Sequence, residues 1–298
     1  MPRPAFVWSP LYEMNIGKHV FPTAKFRLYK EALEARGLLS PADVEHAPAP
    51  TDEQILSVLH PEYLADLRSC RHSARTVRSE LPISREIVEG CIRTSGGTIR
   101  CVELALDTGA AVHLGGGFHH GFAGHGEGFC YVNDVAIAAA WALRAGWVSR
   151  VAVVDTDVHQ GNGTAAIFGQ EPRVFTFSIH QENIYPKKER SDLDIGLDEH
   201  IGDEGYLREL RRGMDAVLAF QPELAIVVAG VDPYEGDQLG RLGITMQGMR
   251  RREEETLGPL ATAGIPFVTV TGGGYARRLE DTVALHAQTA AVAIEVLA

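Results

Sequence analysis

The chain has 298 residues, 45% of them hydrophobic and 22% charged, a balance that fits one large folded domain and excludes disordered, collagenous and coiled-coil classes. Lys and Arg number 28 against 39 Asp and Glu, a formal charge of −11, which repels phosphate backbones and anionic lipid and argues against nucleic acid or membrane as a direct partner. The longest apolar runs, such as Val135 to Leu143 and Ala290 to Ala298, fall short of the roughly 20 residues that cross a bilayer.

In chain order, the first strand signal is Phe6 to Trp8, followed by a Pro- and Ala-rich stretch from Leu38 to Pro50 that reads as a long loop. Helical periodicity covers Ile87 to Asp107; a strand from Ala110 to Leu114 and a helix from Asp134 to Arg144 come next. Strands at Val151 to Val154 and Val174 to Ile179 precede a second long loop, charge-rich, from Gln181 to Asp203. The rest alternates: helix Gly205 to Phe220, strand Leu224 to Ala229, helix Met246 to Ala263, strand Pro266 to Val270 and helix Leu279 to Leu297. The strand runs are continuous Val, Ile, Ala and Phe without in/out alternation, the pattern of strands buried on both faces in a parallel sheet. Regular β/α alternation, with no repeat and no linker, predicts a single α/β domain over residues 1–298, an open, mostly parallel sheet flanked by helices.

Four cysteines, Cys70, Cys91, Cys101 and Cys130, show no C-x-x-C spacing, so reduced thiols are expected. Cys130 reads as a small buried residue, since no Cys-His signature accompanies it. The segment Met1 to Pro10 lacks the apolar core and cleavage site of a signal peptide, and a cytoplasmic location is the expectation.

Chemistry-bearing residues follow the strands. Gly115-Gly116-Gly117-Phe118-His119-His120, Asp155-Thr156-Asp157-Val158-His159, His180, Gly230-Val231-Asp232 and Gly272-Gly273-Gly274-Tyr275 each stand at a strand's carboxyl end, where open α/β sheets bind ligands. All five are expected to converge on one crevice. Alternate positions in Asp155, Asp157 and His159 put three donors on one side of an extended strand end. Asp and His together suit zinc or ferrous iron, and Asp232 is the natural third ligand, leaving a coordination position for water as in catalytic sites. Singly, Asp155 or Asp157 reads equally well as a helix cap, and Asp232-Pro233 as a turn. Adjacent imidazoles on a glycine-rich approach suit proton transfer near neutral pH, although an isolated His-His is more often a surface or structural pair. Tyr275 can donate to a developing oxyanion.

Phe118-His119-His120, Gly128-Phe129-Cys130-Tyr131-Val132-Asn133-Asp134, Asp155-Thr156-Asp157-Val158-His159-Gln160-Gly161-Asn162, Gly230-Val231-Asp232-Pro233 and Gly272-Gly273-Gly274-Tyr275, in this order, resemble the zinc-dependent histone deacetylase family. His19-Val20-Phe21-Pro22 and His60-Pro61-Glu62-Tyr63-Leu64 resemble the amino-terminal part of its class IV branch and short bacterial members. The resemblance implies an arginase/deacetylase fold and removal of an acyl group, acetyl or longer, from N-acyl-lysine by metal-activated water. It matches Asp157, His159 and Asp232 to the ligands of Zn2+, with Fe2+ as the alternative in the cell. It matches His119, His120, Asp155, Asn162 and Tyr275 to the catalytic group, with His120 as base and then acid, and His119 held by Asp155. Gly128, Phe129, Tyr185, Leu239 and Gly273 match the acyl-lysine tunnel, and Asp155, Asp157, His159, Ser178 and Ile179 a structural K+ site.

Two departures stand out. Asn162 partners His120 where class I members have Asp, and Gly115-Gly116-Gly117 replaces the class I Arg-Pro segment, which bears on the tunnel floor. The carboxylates after Asp232, Glu235 and Asp237, are at the wrong offset for a two-metal arginase site. Acylated polyamines remain an alternative substrate, and an acyl-lysine-binding module without turnover a more remote one. Arg68, Arg71, Arg75 and Arg78 form one basic stripe if helical, read as a solvated face on a connecting segment or, alternatively, as a site for an acidic substrate or carboxylate-bearing acyl group. His125 and Glu127 are expected only to shape the rim. Oligomeric state and physiological substrate are not legible.

Overall fold

The computed structural model describes residues 3–298. In chain order the elements are β1 (Ala5–Trp8), α1 (Lys25–Ala35), β2 (Val44–His46), α2 (Asp52–Ile55), α3 (Pro61–Arg68), α4 (Arg85–Thr108) and β3 (Ala110–His113). Then follow α5 (Asp134–Arg144), β4 (Val151–Asp155), α6 (Asn162–Phe168), β5 (Val174–Gln181), β6 (Leu193–Leu197), α7 (Asp203–Phe220), β7 (Leu224–Val228), α8 (Met246–Thr262), β8 (Phe267–Val270) and α9 (Leu279–Glu295). The eight strands form one sheet in the order β2-β1-β3-β8-β7-β4-β5-β6, and every pairing between them is parallel.

Burial explains the order. β3, β4, β7 and β8 are buried at every position, as continuous apolar runs require when helices cover both faces. Alternate residues feed two cores: Val151 and Val153 join Val102 of α4 and Val135 of α5, while Ala152 and Val154 join Leu210 of α7, Leu257 of α8 and Leu285 of α9. Helix ends follow local chemistry. Ser84 caps α4, Asn133 caps α5 and Thr245 caps α8 through side-chain oxygens, each satisfying an amide that the helix leaves unpaired.

Both predicted long loops are corrected: Leu38 to Pro50 contains β2, and Gln181 to Asp203 contains β6. These are the sheet's edges, where exposed Glu45, His46, Asp194 and Gly196 replace the apolar run that marks an interior strand. The basic stripe is also corrected. α3 ends at Arg68, and Cys70 turns the chain with a φ of 50°, so the four arginines share no helix. Arg68 pairs with Asp52, Arg71 and Arg75 with Asp66, and Arg78 with Glu127. No helix among the described residues is long and apolar enough to cross a membrane.

Candidate active site

Four adjacent strands, β3, β8, β7 and β4, deliver the site from their carboxyl ends. The loop after β3 runs against the loop after β8: Thr271 N donates to Gly115 O at 3.0 Å and Gly272 N to Gly116 O at 3.2 Å. Gly117, at a φ of 87°, leaves no space for a Cβ against Gly272 N, so the glycine is needed for both conformation and close approach. Asp134, the first residue of α5, accepts from Gly117 N at 3.1 Å and Phe118 N at 2.8 Å. Asn133 donates to the carbonyls of His119 and Gly121. Together they set the backbone that presents the two histidines.

β4 ends at Asp155, and Asp157 and His159 follow in a turn, not on a continued strand; this corrects the alternating-strand argument for their convergence. Asp157 N donates to Asp155 Oδ1 at 3.1 Å and His159 N to Asp157 Oδ1 at 3.0 Å. This chain of backbone-to-carboxylate bonds tightens the turn. Asp157, His159 and Asp232, all buried, each place a ligand atom within 4.8 Å of the others. Asp155 stands apart, with Oδ2 at 2.6 Å from His119 Nδ1. His120 Nδ1 lies 2.8 Å from Asn162 Oδ1. The fifth strand end does not join the crevice: His180 contacts the Ser178 hydroxyl at 2.9 Å. Ser178 in turn is the register partner of Asp155 across β4 and β5.

The donor trio fits a divalent cation. Burial and then the Asp157 charge push the Asp232 carboxyl up to about 7. Burial pulls His159 down, but hydrogen bonds to Asp157 and Asp232 outweigh it and carry the ring up to about 10. Burial raises Asp157, but the His119 and His159 charges outweigh it and keep the carboxylate ionised, well below its ordinary range, while Asp232 and His159 favour protons that a cation would displace. His119 follows the same logic: burial lowers it, and the charges of Asp155 and Asp157 raise it to about 9. His120 moves the other way, well below its ordinary range, through burial and the His119 and His159 charges. Its ring is therefore a neutral base near neutral pH.

Above the trio opens a pocket of about 260 Å³. Gly128, Phe129, Tyr185 and Leu239 line it as expected, with His120, His159 and Tyr275 at its base. Phe129 adopts a φ of 65°, costly for a bulky side chain. Its amide is held by Ser79 O at 2.9 Å, and its ring stacks on Phe21. Tyr185, opposite, sets its ring 5.4 Å from that of His120. Gly273 lines a smaller adjoining cavity with His120, Gly128, Phe129 and Tyr275; its amide donates to Asp157 Oδ2 at 2.7 Å, with Asp232 Oδ2 where a Cβ would stand.

Several residues at or around the site were not read from the sequence. Ile184 and Glu80 also line the pocket. Lys25, fully buried, donates to Gly272 O at 2.7 Å and lies 5.6 Å from the Tyr275 ring centre. Burial lowers its ammonium to about 8 against the opposing Asp232 and Asp157 charges. Arg252, from α8, is also fully buried and donates to the carbonyls of Thr156 and Gly230, beside the ligand loops. Glu127 is not a rim residue alone: Oε1 accepts from Asn162 Nδ2 at 2.8 Å. None belongs to a spacing pattern, because each partner is remote in the chain.

The histone deacetylase domain family matches residues 19–291; the chain belongs to the histone deacetylase family. An uncharacterized protein of Picosynechococcus sp. is 41% identical, over 94% of this chain and 95% of its own. Histone deacetylase 2 of Arabidopsis thaliana is 31% identical over 94% and 77%, and the acetoin utilization protein AcuC of Bacillus subtilis 28% over 91% and 77%. In fold, the crystal structure of an HDAC homolog complexed with SAHA superposes with a TM-score of 0.83 at 21% identity, covering 98% of this chain and 84% of that one. The HDA15 HD domain gives 0.81 at 22%, covering 98% and 90%. The architecture is the arginase/deacetylase fold, and membership places the chain among deacetylase-type amide hydrolases.

Proposed function

We propose that this protein is a class IV-like, metal-dependent deacylase that hydrolyses the amide of N-acyl-lysine side chains, its catalytic domain spanning residues 1–298. The observation that carries the reading is the buried Asp157, His159 and Asp232 trio at the base of an aromatic-walled pocket that also holds His120 and Tyr275. Zn2+, or Fe2+ in the cell, would supply Lewis acidity and lower the pKa of a water bound at that trio. Phe129 and Tyr185 bracket the acyl-lysine stem and exclude water from it. His120, neutral and with Nδ1 engaged by Asn162, offers Nε2 to take the proton from water and return it to the leaving amine. His119, held by Asp155, adds positive charge beside the reacting carbonyl. Tyr275, whose hydroxyl burial keeps protonated, donates to the developing oxyanion, a contribution of about 3 kcal/mol. A structural K+ at Asp155, Asp157, His159, Ser178 and Ile179 belongs to the same proposal.

An acylated polyamine is the second reading, favoured by the Glu80 carboxylate on the pocket lining, which would pair with a distal ammonium. A panel of acyl-lysine peptides from acetyl to myristoyl, with acetylated polyamines, tests both. Turnover that needs metal and falls at least about 100-fold in Tyr275→Phe is expected. A folded, metal-loaded protein silent on the whole panel would sink the proposal in favour of a binding module.

A further inference from the structure

Glu127 has no role in the chemistry as set out so far, yet its side chain reaches behind the base. Asn162 Oδ1 lies 2.8 Å from His120 Nδ1, and Asn162 Nδ2 lies 2.8 Å from Glu127 Oε1. An asparagine amide is nearly symmetric in shape, so its neighbours decide which end faces which partner. The other oxygen of Glu127 accepts from Arg78 Nη2 at 2.7 Å, with His125 Nε2 at 3.5 Å. A carboxylate beside a guanidinium only accepts. Asn162 must therefore turn its NH2 to Glu127 and its carbonyl to His120, and a carbonyl facing a neutral imidazole requires the proton on that ring nitrogen.

We infer that Glu127 is a positioning residue: through Asn162 it holds the proton of His120 on Nδ1 and so leaves Nε2 free on the pocket side. The inference rests on the deacylase reading for its consequence, but its geometry is independent of any substrate. The opposite tautomer would have the same shape and no lone pair facing the water. Both ends of the relay are fixed. Glu127 and Cys130 exchange backbone hydrogen bonds at 2.9 Å, and Gly126 N donates to Arg75 O at 2.9 Å. Asn162 opens α6, whose next residue, Gly163, abuts the backbone of His120 and Gly121 so closely that no Cβ fits. Glu127 is buried and Arg78 half exposed, so Arg78 compensates the charge from the solvent side.

The test exchanges the two polar groups. Glu127→Leu removes the acceptor and is expected to lower kcat by on the order of 10- to 100-fold, part of what a general base contributes, with KM nearly unchanged. Asn162→Asp sets two carboxylates face to face and is expected to fall at least as far. Adding Glu127→Gln to Asn162→Asp gives the aspartate a donor again and should recover about 10-fold or more of the lost kcat. A residue needed only for folding would show no such rescue. The tautomer is read directly from ¹⁵N-histidine NMR of the protein without substrate: His120 carries its proton on Nδ1 in the wild type and becomes a mixture in Glu127→Leu. An unchanged tautomer in Glu127→Leu, or an Asn162→Asp variant that Glu127→Gln fails to rescue in a folded protein, overturns the inference. If the wild type turns over nothing, the deacylase reading fails, and the NMR result still decides the role of Glu127.

Discussion

Acid should find one weak point at His113, the last residue of β3. The ring is buried, with Nε2 at 2.7 Å from the Tyr12 hydroxyl and Nδ1 at 3.0 Å from Thr98 Oγ1. Thr98 has one proton, and the Asp134 carboxylate takes it at 2.5 Å. Thr98 can then only accept from Nδ1, which leaves Nε2 to accept from Tyr12. The polar chain Tyr12, His113, Thr98, Asp134 ends on the amides of Gly117 and Phe118 and has no place for a second imidazole proton. Burial pulls the ring from 6.5 to about 3. The sign follows from linkage: below 6.5 the unfolded ring binds a proton that the folded ring refuses, so stability is full above that value and lost as pH falls. The slope is about 1.4 kcal/mol per pH unit, or about 2.7 kcal/mol two units below the unfolded pKa. Urea unfolding of the wild type and His113→Asn, which keeps a donor and an acceptor without titrating, isolates this contribution. The wild type's advantage should shrink with that slope between about pH 6.5 and about pH 4.5. A difference that stays constant with pH would refute the reasoning.

Three further outcomes are expected. Arg252→Met strands Glu253 and two buried carbonyls; breaking a buried pair costs about 3–5 kcal/mol, and calorimetry should show Tm lower by on the order of 5–10 °C. Gly230→Ala drives a methyl into the Asp157 carboxylate. Metal content per folded protein should therefore fall sharply while circular dichroism stays close to the wild type; full occupancy would contradict the tight contact. Stripping metal with a chelator and restoring Zn2+ to about 100 times its Kd should raise stability by about 2.7 kcal/mol. An Asp157→Asn variant should lose most of that gain, and equal stabilisation of both proteins would place the ion elsewhere.

The interior strands were legible because a strand covered on both faces must be apolar at every position, as Val151 to Val154 and Leu224 to Val228 are. β2 and β6 were not, since edge positions such as Glu45 and Asp194 face solvent and share the composition of a loop. Asp157, His159 and Asp232 were found by their place after strands, though the reason offered for Asp157 and His159, strand alternation, was wrong: a turn brings them in. The arginine spacing misled because spacing implies a face only inside a helix, and α3 stops at Arg68. Lys25 and Arg252 escaped, and Glu127 was read only as a rim residue, because a lone charged residue looks solvated until the fold buries it beside a partner distant in sequence.

The central position of β8 has a consequence for biosynthesis. It is the last of these eight strands to emerge from the ribosome, yet it pairs with both β3 and β7, while β4 to β7 intervene between β3 and β8 in the chain. Until it arrives, the amino-terminal group β2-β1-β3 and the later group β7-β4-β5-β6 each end in an unpaired parallel edge, the kind of surface that recruits other chains. The tandem histidines follow a strand of the first group, and the candidate metal ligands Asp157, His159 and Asp232 follow strands of the second. A nascent chain short of Phe267 thus holds the proposed proton-transfer and metal-binding halves on separate sheets, and such long-range pairings form slowly. Chaperone dependence should concentrate in that window, and a truncation just before β8 should yield aggregate, not a weakened enzyme.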